Sequence, residues 1–257
     1  MTDKNASIMN IGSMGYLPQV FKKIENEKKL NIVYLGGSIT MGCNATKTEL
    51  RYVDRSAKWW QTNFPDAEIS YFNAGIGATT SQFGVARVQE HVLDKQPDLV
   101  FVEFSVNDSS SPLFMETYES LVRRLLKAES VKAVVLINNL FYDTGTNAQG
   151  IHNAVGLHYD LPIVSVRNYI FPEIQLGNVC LADYTADMLH PTDLGHKMIA
   201  DLICNLLVTE YSYYKKLGAE KKPSLPEPFT ASRYEDAQRF QNYSCSPVME
   251  GFEPDTH

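Results

Sequence analysis

The chain has 257 residues, 44% hydrophobic and 21% charged, which excludes a disordered segment or a fibre and leaves room for one sizeable α/β domain with an appendage. A formal net charge of −7 provides no electrostatic footprint for nucleic acid or an anionic membrane, so neither is an expected partner. No apolar run reaches the roughly 20 residues that span a bilayer. The N-terminus "MTDKNASIMNIGSMG" lacks the basic-then-apolar pattern of a secretory signal, which makes a cytoplasmic location the default expectation.

Short apolar runs alternate with longer helical patterns along the chain. "LNIVYLGG" (30–37) reads as a strand, followed by a helix over about 49–63. "ISYFNAG" (69–75), a helix at 80–95, "DLVFVEFS" (98–105) and a helix at 114–129 come next. "KAVVLINNL" (132–140), a helix at 146–159, "PIVSVRN" (162–168) and a helix at 192–210 complete the series. Most of these strands are apolar on both faces, as strands covered by helices on both sides must be. The alternation predicts an α/β fold, a three-layer α/β/α sandwich around a doubly wound parallel sheet of about five strands.

From residue 218 the texture changes. "GAEKKPSLPEPF" carries three prolines and a charge cluster and reads as a linker or extended strap. The expected division is therefore a domain over 1–217 and a Pro-rich strap over 218–257, which wraps the domain or leads into a further one. The four cysteines, Cys43, Cys180, Cys204 and Cys245, show no metal-ligand spacing and read as reduced thiols. No metal and no cofactor is expected.

In doubly wound folds reactive groups lie beyond the carboxyl ends of the strands. The turn "GGSIT" after the first strand is the first such place. A Walker loop is excluded because Cys43-Asn44 follows Gly42 where lysine is required. The nearest G-x-G-x-x-G begins at Gly75 and ends on Thr80, so a dinucleotide fingerprint fails as well. Ser38 is left as a candidate nucleophile, and serine needs a base oriented by a third group.

The last inter-element loop, "DMLHPTDLGH", offers His190 as that base and Asp187, three residues earlier, to orient it. A second D-x-x-H, Asp193 to His196, falls in the first turn of the following helix. There Asp193 reads as a favourable N-terminal charge and His196 as a helix-surface residue. The ends of the second and third strands add candidate oxyanion donors. These are the Gly75 backbone N–H and the Asn107 side chain.

A serine after strand one, a glycine after strand two, an asparagine after strand three and D-x-x-H before the last helix, in this order over about 30–208, resemble the SGNH (GDSL-type) hydrolase superfamily. The resemblance implies a flavodoxin-like fold and ester hydrolysis through an acyl-serine intermediate without metal. By that resemblance Ser38, Asp187 and His190 are catalytic, and Ser38, Gly75 and Asn107 form the oxyanion hole. The Gly-Asp-Ser-Leu motif is here Gly36-Gly37-Ser38-Ile39, and the G-x-N-D motif is Ser105-Val106-Asn107-Asp108. "GGSIT" is similar to members that deacetylate carbohydrates, so short acyl esters and acetylated carbohydrate such as acetylated xylan are the expected substrates. A thioesterase, a lysophospholipase, an acyltransferase and an inactive sugar-binding module stay open. Trp59-Trp60 and Phe114 are candidates for a sugar platform, although adjacent tryptophans on a helix point in different directions. Oligomeric state has no signature in the sequence.

Overall fold

The structure, a computed structural model, describes residues 3–240 together with 245, 248, 250 and 251. In chain order the elements are β1 (Ile8–Asn10), α1 (Leu17–Glu27), β2 (Lys29–Gly36), α2 (Ser38–Met41), α3 (Tyr52–Asn63), β3 (Glu68–Gly75) and α4 (Ser81–His91). They continue with β4 (Leu99–Glu103), α5 (Pro112–Lys127), β5 (Ala133–Asn138), α6 (Gln149–His158) and β6 (Ile163–Ser165), then α7 (Val166–Gln175), α8 (Leu181–Tyr184) and α9 (Asp193–Leu217).

The strands form one sheet in the order β1-β6-β5-β4-β2-β3. The five strands expected from the sequence are all present and all parallel, in the flavodoxin-like order. Every residue of β4 and β5 is buried, which explains their unbroken apolar character. On one face α9 packs against α1 and α3, and on the other α5 packs against α4 and α6. The chain reverses its direction of strand addition between β2 and β4, and both ends that flank this switch point carry candidate site residues.

Several elements differ from the expectation, the short α2 and α8 among them. β1 pairs antiparallel with β6 and makes the sheet six-stranded and mixed. α1 precedes β2, burying Leu17, Val20, Phe21 and Ile24 and ending on Lys28 in the left-handed region. The expected strand at 162–168 stops at Ser165, whose hydroxyl accepts the Asn168 N–H and caps α7 instead.

Residues 218–240 run back along α5 rather than away from the domain. Lys222 Nζ donates to the Leu126 and Val131 carbonyls, Arg233 pairs with Glu116 at 2.8 Å, and Glu119 accepts the Phe229 and Thr230 N–H groups. Arg123 and Lys127 both reach Glu235. The part of the expected strap beyond 240 lies outside the described residues, apart from 245, 248, 250 and 251.

Candidate active site

β2 delivers the chain to Gly36-Gly37, and two close approaches require both glycines. A Cβ on Gly36 would lie 2.1 Å from Thr40 Oγ1 and 2.6 Å from the Glu103 carbonyl oxygen. A Cβ on Gly37 would lie 2.4 Å from Asn107 Oδ1. The departure from the Gly-Asp-Ser-Leu pattern thus has a local cause, since a side chain at 37 would drive out the Asn107 amide. Ser38 is the first residue of α2, so its N–H belongs to the free donors of a helix N-terminus.

The loop between α8 and α9 carries the acid–base pair. Met188 adopts φ 67°, which is uncommon for a residue with a side chain. The bend lets Asp187 Oδ1 accept the N–H groups of Leu189 at 3.1 Å and His190 at 2.7 Å. Thr185 adds a bond from its hydroxyl to the His190 carbonyl at 2.9 Å and a backbone bridge to Pro191. Pro191 therefore sits in that bridge rather than in the first helical turn, and Thr192 caps α9 by accepting the Gly195 N–H.

Ser38, His190 and Asp187 come together. His190 Nε2 lies 2.9 Å from Ser38 Oγ and Nδ1 lies 2.7 Å from Asp187 Oδ2. A carboxylate can only accept, so Nδ1 carries the hydrogen and Nε2 presents its lone pair to the hydroxyl. Burial works against ionisation of Asp187, yet hydrogen bonds from the His190 ring and the His190 and Leu189 N–H groups bring its carboxyl down to about 2. It is therefore an anion at any pH well above 2.

The expected donors divide. Asn107 stands at the switch point with its Oδ1 buried, without a hydrogen-bond partner among the described residues, and turned toward Gly37. Gly75 is not placed as a donor. Its N–H already reaches Asn73 Oδ1 at 2.9 Å, and a Cβ there would lie 2.2 Å from the Met41 nitrogen. Its lack of a side chain serves packing against α2. Two residues on, Gly77 faces the nucleophile, with a Cβ position 4.0 Å from Ser38 Cβ.

His196 is fully buried rather than on the helix surface, with Nε2 3.0 Å from the Cys43 carbonyl oxygen. Trp59 and Trp60 form no platform, since both pack with Phe21 and Phe64 near α1. Cys43 has its thiol raised by burial and by Asp187, the opposite of what a nucleophile needs. No group of three His, Cys, Asp or Glu side chains that could hold a metal occurs among the described residues. No helix among them is long and apolar enough to cross a membrane.

Three supporting groups escaped the sequence reading. Arg87, 1% exposed, donates to the Ala74 carbonyl at 2.7 Å and the Gly36 carbonyl at 3.1 Å, tying the ends of β3 and β2 together. Glu103, buried at the end of β4 below α2, has its carboxyl pushed up to about 7 by burial. Asp108 accepts the Ser81 N–H at 2.8 Å and lies 3.0 Å from His152 Nε2, whose ring stacks on Tyr118. A lone charge in an otherwise apolar strand or helix face was the available signal for Glu103 and Arg87.

The family profile described as "GDSL-like Lipase/Acylhydrolase family" matches residues 34–198. An acetylxylan esterase from Geobacillus stearothermophilus is 25% identical over 207 residues, covering 69% of this chain and 93% of the relative. A two-domain esterase (CEX) active on acetylated mannans, co-crystallized with mannopentaose, superposes at a TM-score of 0.94 with 42% identity, over 100% of this chain and 68% of that one. The fold alone is shared with the structure of Axe2, an acetylxylan esterase from Geobacillus stearothermophilus, at a TM-score of 0.57, 20% identity, and coverage of 69% and 94%. With the profile spanning the nucleophile turn and the acid–base loop, the chain belongs to the GDSL-like lipase/acylhydrolase family, of the SGNH type, and is a serine hydrolase acting on ester bonds.

Proposed function

We propose that this chain removes acetyl groups from plant-type polysaccharides, acetylated mannan foremost and acetylated xylan second, through an acetyl-serine intermediate. The hydrogen-bonded sequence Ser38–His190–Asp187, at 2.9 and 2.7 Å, is the observation that carries the mechanism. Preference for mannan rests on the 42% identity, along the whole chain, to an esterase active on acetylated mannans, against 25% to the acetylxylan esterase.

Ser38 Oγ attacks the acetyl carbonyl while His190 Nε2 takes its proton, and Asp187 stabilises the resulting imidazolium. Negative charge developing on the carbonyl oxygen is met by the Ser38 N–H, the Asn107 side-chain amide and a backbone N–H of the turn after Gly75, which we assign to Gly77. His190 returns the proton to the departing sugar oxygen. It then takes a proton from water, which attacks the acetyl-serine and releases acetate.

Acetate release from acetylated glucomannan and acetylated xylan, followed by proton NMR for wild type and Ser38→Ala, tests the proposal. Ser38-dependent release from either polymer supports it, with the faster polymer naming the substrate. Ser38-dependent hydrolysis confined to long-chain acyl esters would overturn the carbohydrate assignment.

A further inference from the structure

The reaction just proposed uses one D-x-x-H, and the chain carries a second, Asp193 and His196, in the first turn of α9. Both side chains face the loop that leads away from the nucleophile. His196 Nδ1 lies 3.3 Å from the Tyr52 nitrogen, whose hydrogen it accepts, and Nε2 lies 3.0 Å from the Cys43 carbonyl oxygen, to which it donates. These two partners require the neutral ring with its hydrogen on Nε2. Asp193 Oδ1 accepts the Thr46 N–H at 2.8 Å and Oδ2 accepts the Thr46 hydroxyl at 2.6 Å. A solvated helix-surface pair would make none of these bonds.

The Cys43 peptide is the joint. Its N–H donates to the Ser38 carbonyl at 3.0 Å, as does that of Gly42, so the turn that ends α2 is closed on the nucleophile's own backbone. Its carbonyl is held by His196. On the other side of the joint, His190 stands in the loop that feeds directly into α9. A continuous route of bonded groups therefore runs from Ser38 through Cys43 and His196 into α9, and back along the chain to His190. Ser38, at the end of β2, and His190, in the loop between α8 and α9, lie 152 residues apart, and their 2.9 Å separation depends on how α9 is seated against the loop at 43–52.

We propose that Asp193 and His196 are positioning residues that set the Ser38–His190 separation for proton transfer. The proposal rests on the serine mechanism above. It concerns neither substrate contact nor a second reacting centre. Misplacement by about 1 Å costs up to ~10²-fold in rate, so the effect belongs in turnover more than in substrate binding.

Hydrolysis of p-nitrophenyl acetate by Ser38→Ala, His196→Leu, His196→Gln, Asp193→Ala and wild type, with active sites counted by a stoichiometric serine-directed phosphonate and melting temperatures recorded, tests it. His196→Leu keeps bulk and removes both ring bonds. We expect kcat per titrated site to fall roughly 10–100-fold with KM little changed. His196→Gln places an amide near the Nε2 position, keeps the bond to Cys43 and recovers most of that loss. Asp193→Ala, on the exposed rim, lowers kcat with little change in melting temperature, so the test survives if His196→Leu does not fold. Wild-type kcat per titrated site in His196→Leu or in Asp193→Ala, or equal losses in His196→Gln and His196→Leu, would overturn the positioning role. A wild-type activity that persists in Ser38→Ala would instead overturn the serine mechanism, which keeps the two failures distinct.

Discussion

Asp187 holds His190 at two points: Oδ1 accepts the backbone N–H and Oδ2 faces the ring Nδ1, both at 2.7 Å. One carboxylate thus fixes both the path of the loop and the tautomer of the base. Asp187→Asn keeps the shape but offers a donor where an acceptor is needed, so kcat should fall by about 10³–10⁴ with the melting temperature little altered. Steady-state kinetics with a circular-dichroism melt checks both halves.

The pH dependence follows with its sign. The Asp187 carboxyl is held near 2, below the ordinary 3.8, so the stability it contributes is complete above 3.8 and is lost only as pH falls toward 2. Asp187 therefore does not titrate in the working range. A wild-type kcat profile with an acidic step above about pH 4 that disappears in Asp187→Asn would contradict this.

Asn107 turns its side-chain oxygen toward Gly37, where an added Cβ would lie 2.4 Å away. As an oxyanion donor it should cost about 10²–10³ in kcat when replaced by alanine. Asn107→Asp, with an acceptor in the same place, should be at least as slow. Turnover of Asn107→Ala near wild type on p-nitrophenyl acetate would remove the residue from the site.

Arg87 is a buried cation whose two main-chain acceptors, the carbonyls of Gly36 and Ala74, lie at the ends of neighbouring strands. Replacing it with methionine removes both bonds and leaves the Gly36 carbonyl with the Ile76 N–H alone, at about 1–3 kcal/mol for a lost charged donor. The melting temperature should drop by several degrees and kcat with it, because Ser38 and the turn after Gly75 begin at those ends. Urea denaturation of Arg87→Met measures the first effect directly.

Glu210, fully buried in α9, has both carboxylate oxygens without a hydrogen-bond partner among the described residues, and burial pushes its carboxyl up to about 8. The folded chain holds this proton more tightly than the unfolded chain. The stability it contributes is complete below 4.5 and is lost as pH rises through about 8. Glu210→Gln should therefore melt higher than wild type near pH 9, with the advantage vanishing at mildly acidic pH. Melting curves at the two ends of that range decide it.

Much of this arrangement was legible in the residues, and the exceptions have physical causes. The five parallel strands announced themselves because continuous Val, Ile, Leu and Phe runs have few alternatives to a covered sheet. β1 did not, since three residues at an edge carry no pattern. α1 was detectable in principle: Leu17, Val20, Phe21 and Ile24 recur at helical spacing with Pro18 near the start. Ser38 and Asn107 could be placed because each follows a strand whose end was marked, and Asp187 and His190 because they precede the marked start of the last helix. Gly75 was misjudged because glycine looks the same whether it opens a backbone N–H to a ligand or admits a neighbouring helix, and here it admits α2. His196 was misjudged because helical phase alone does not reveal a loop folding over that face.

The most direct test of the whole account is to trap the intermediate. Rapid acid quenching of wild type during turnover of p-nitrophenyl acetate, followed by peptide mass spectrometry, should find one added acetyl group on the peptide containing Ser38. The same increment should be absent from Ser38→Ala. Acetate release at the wild-type rate with no acetylated Ser38 peptide, or with the acetyl group elsewhere, would contradict a serine nucleophile held by His190 and Asp187.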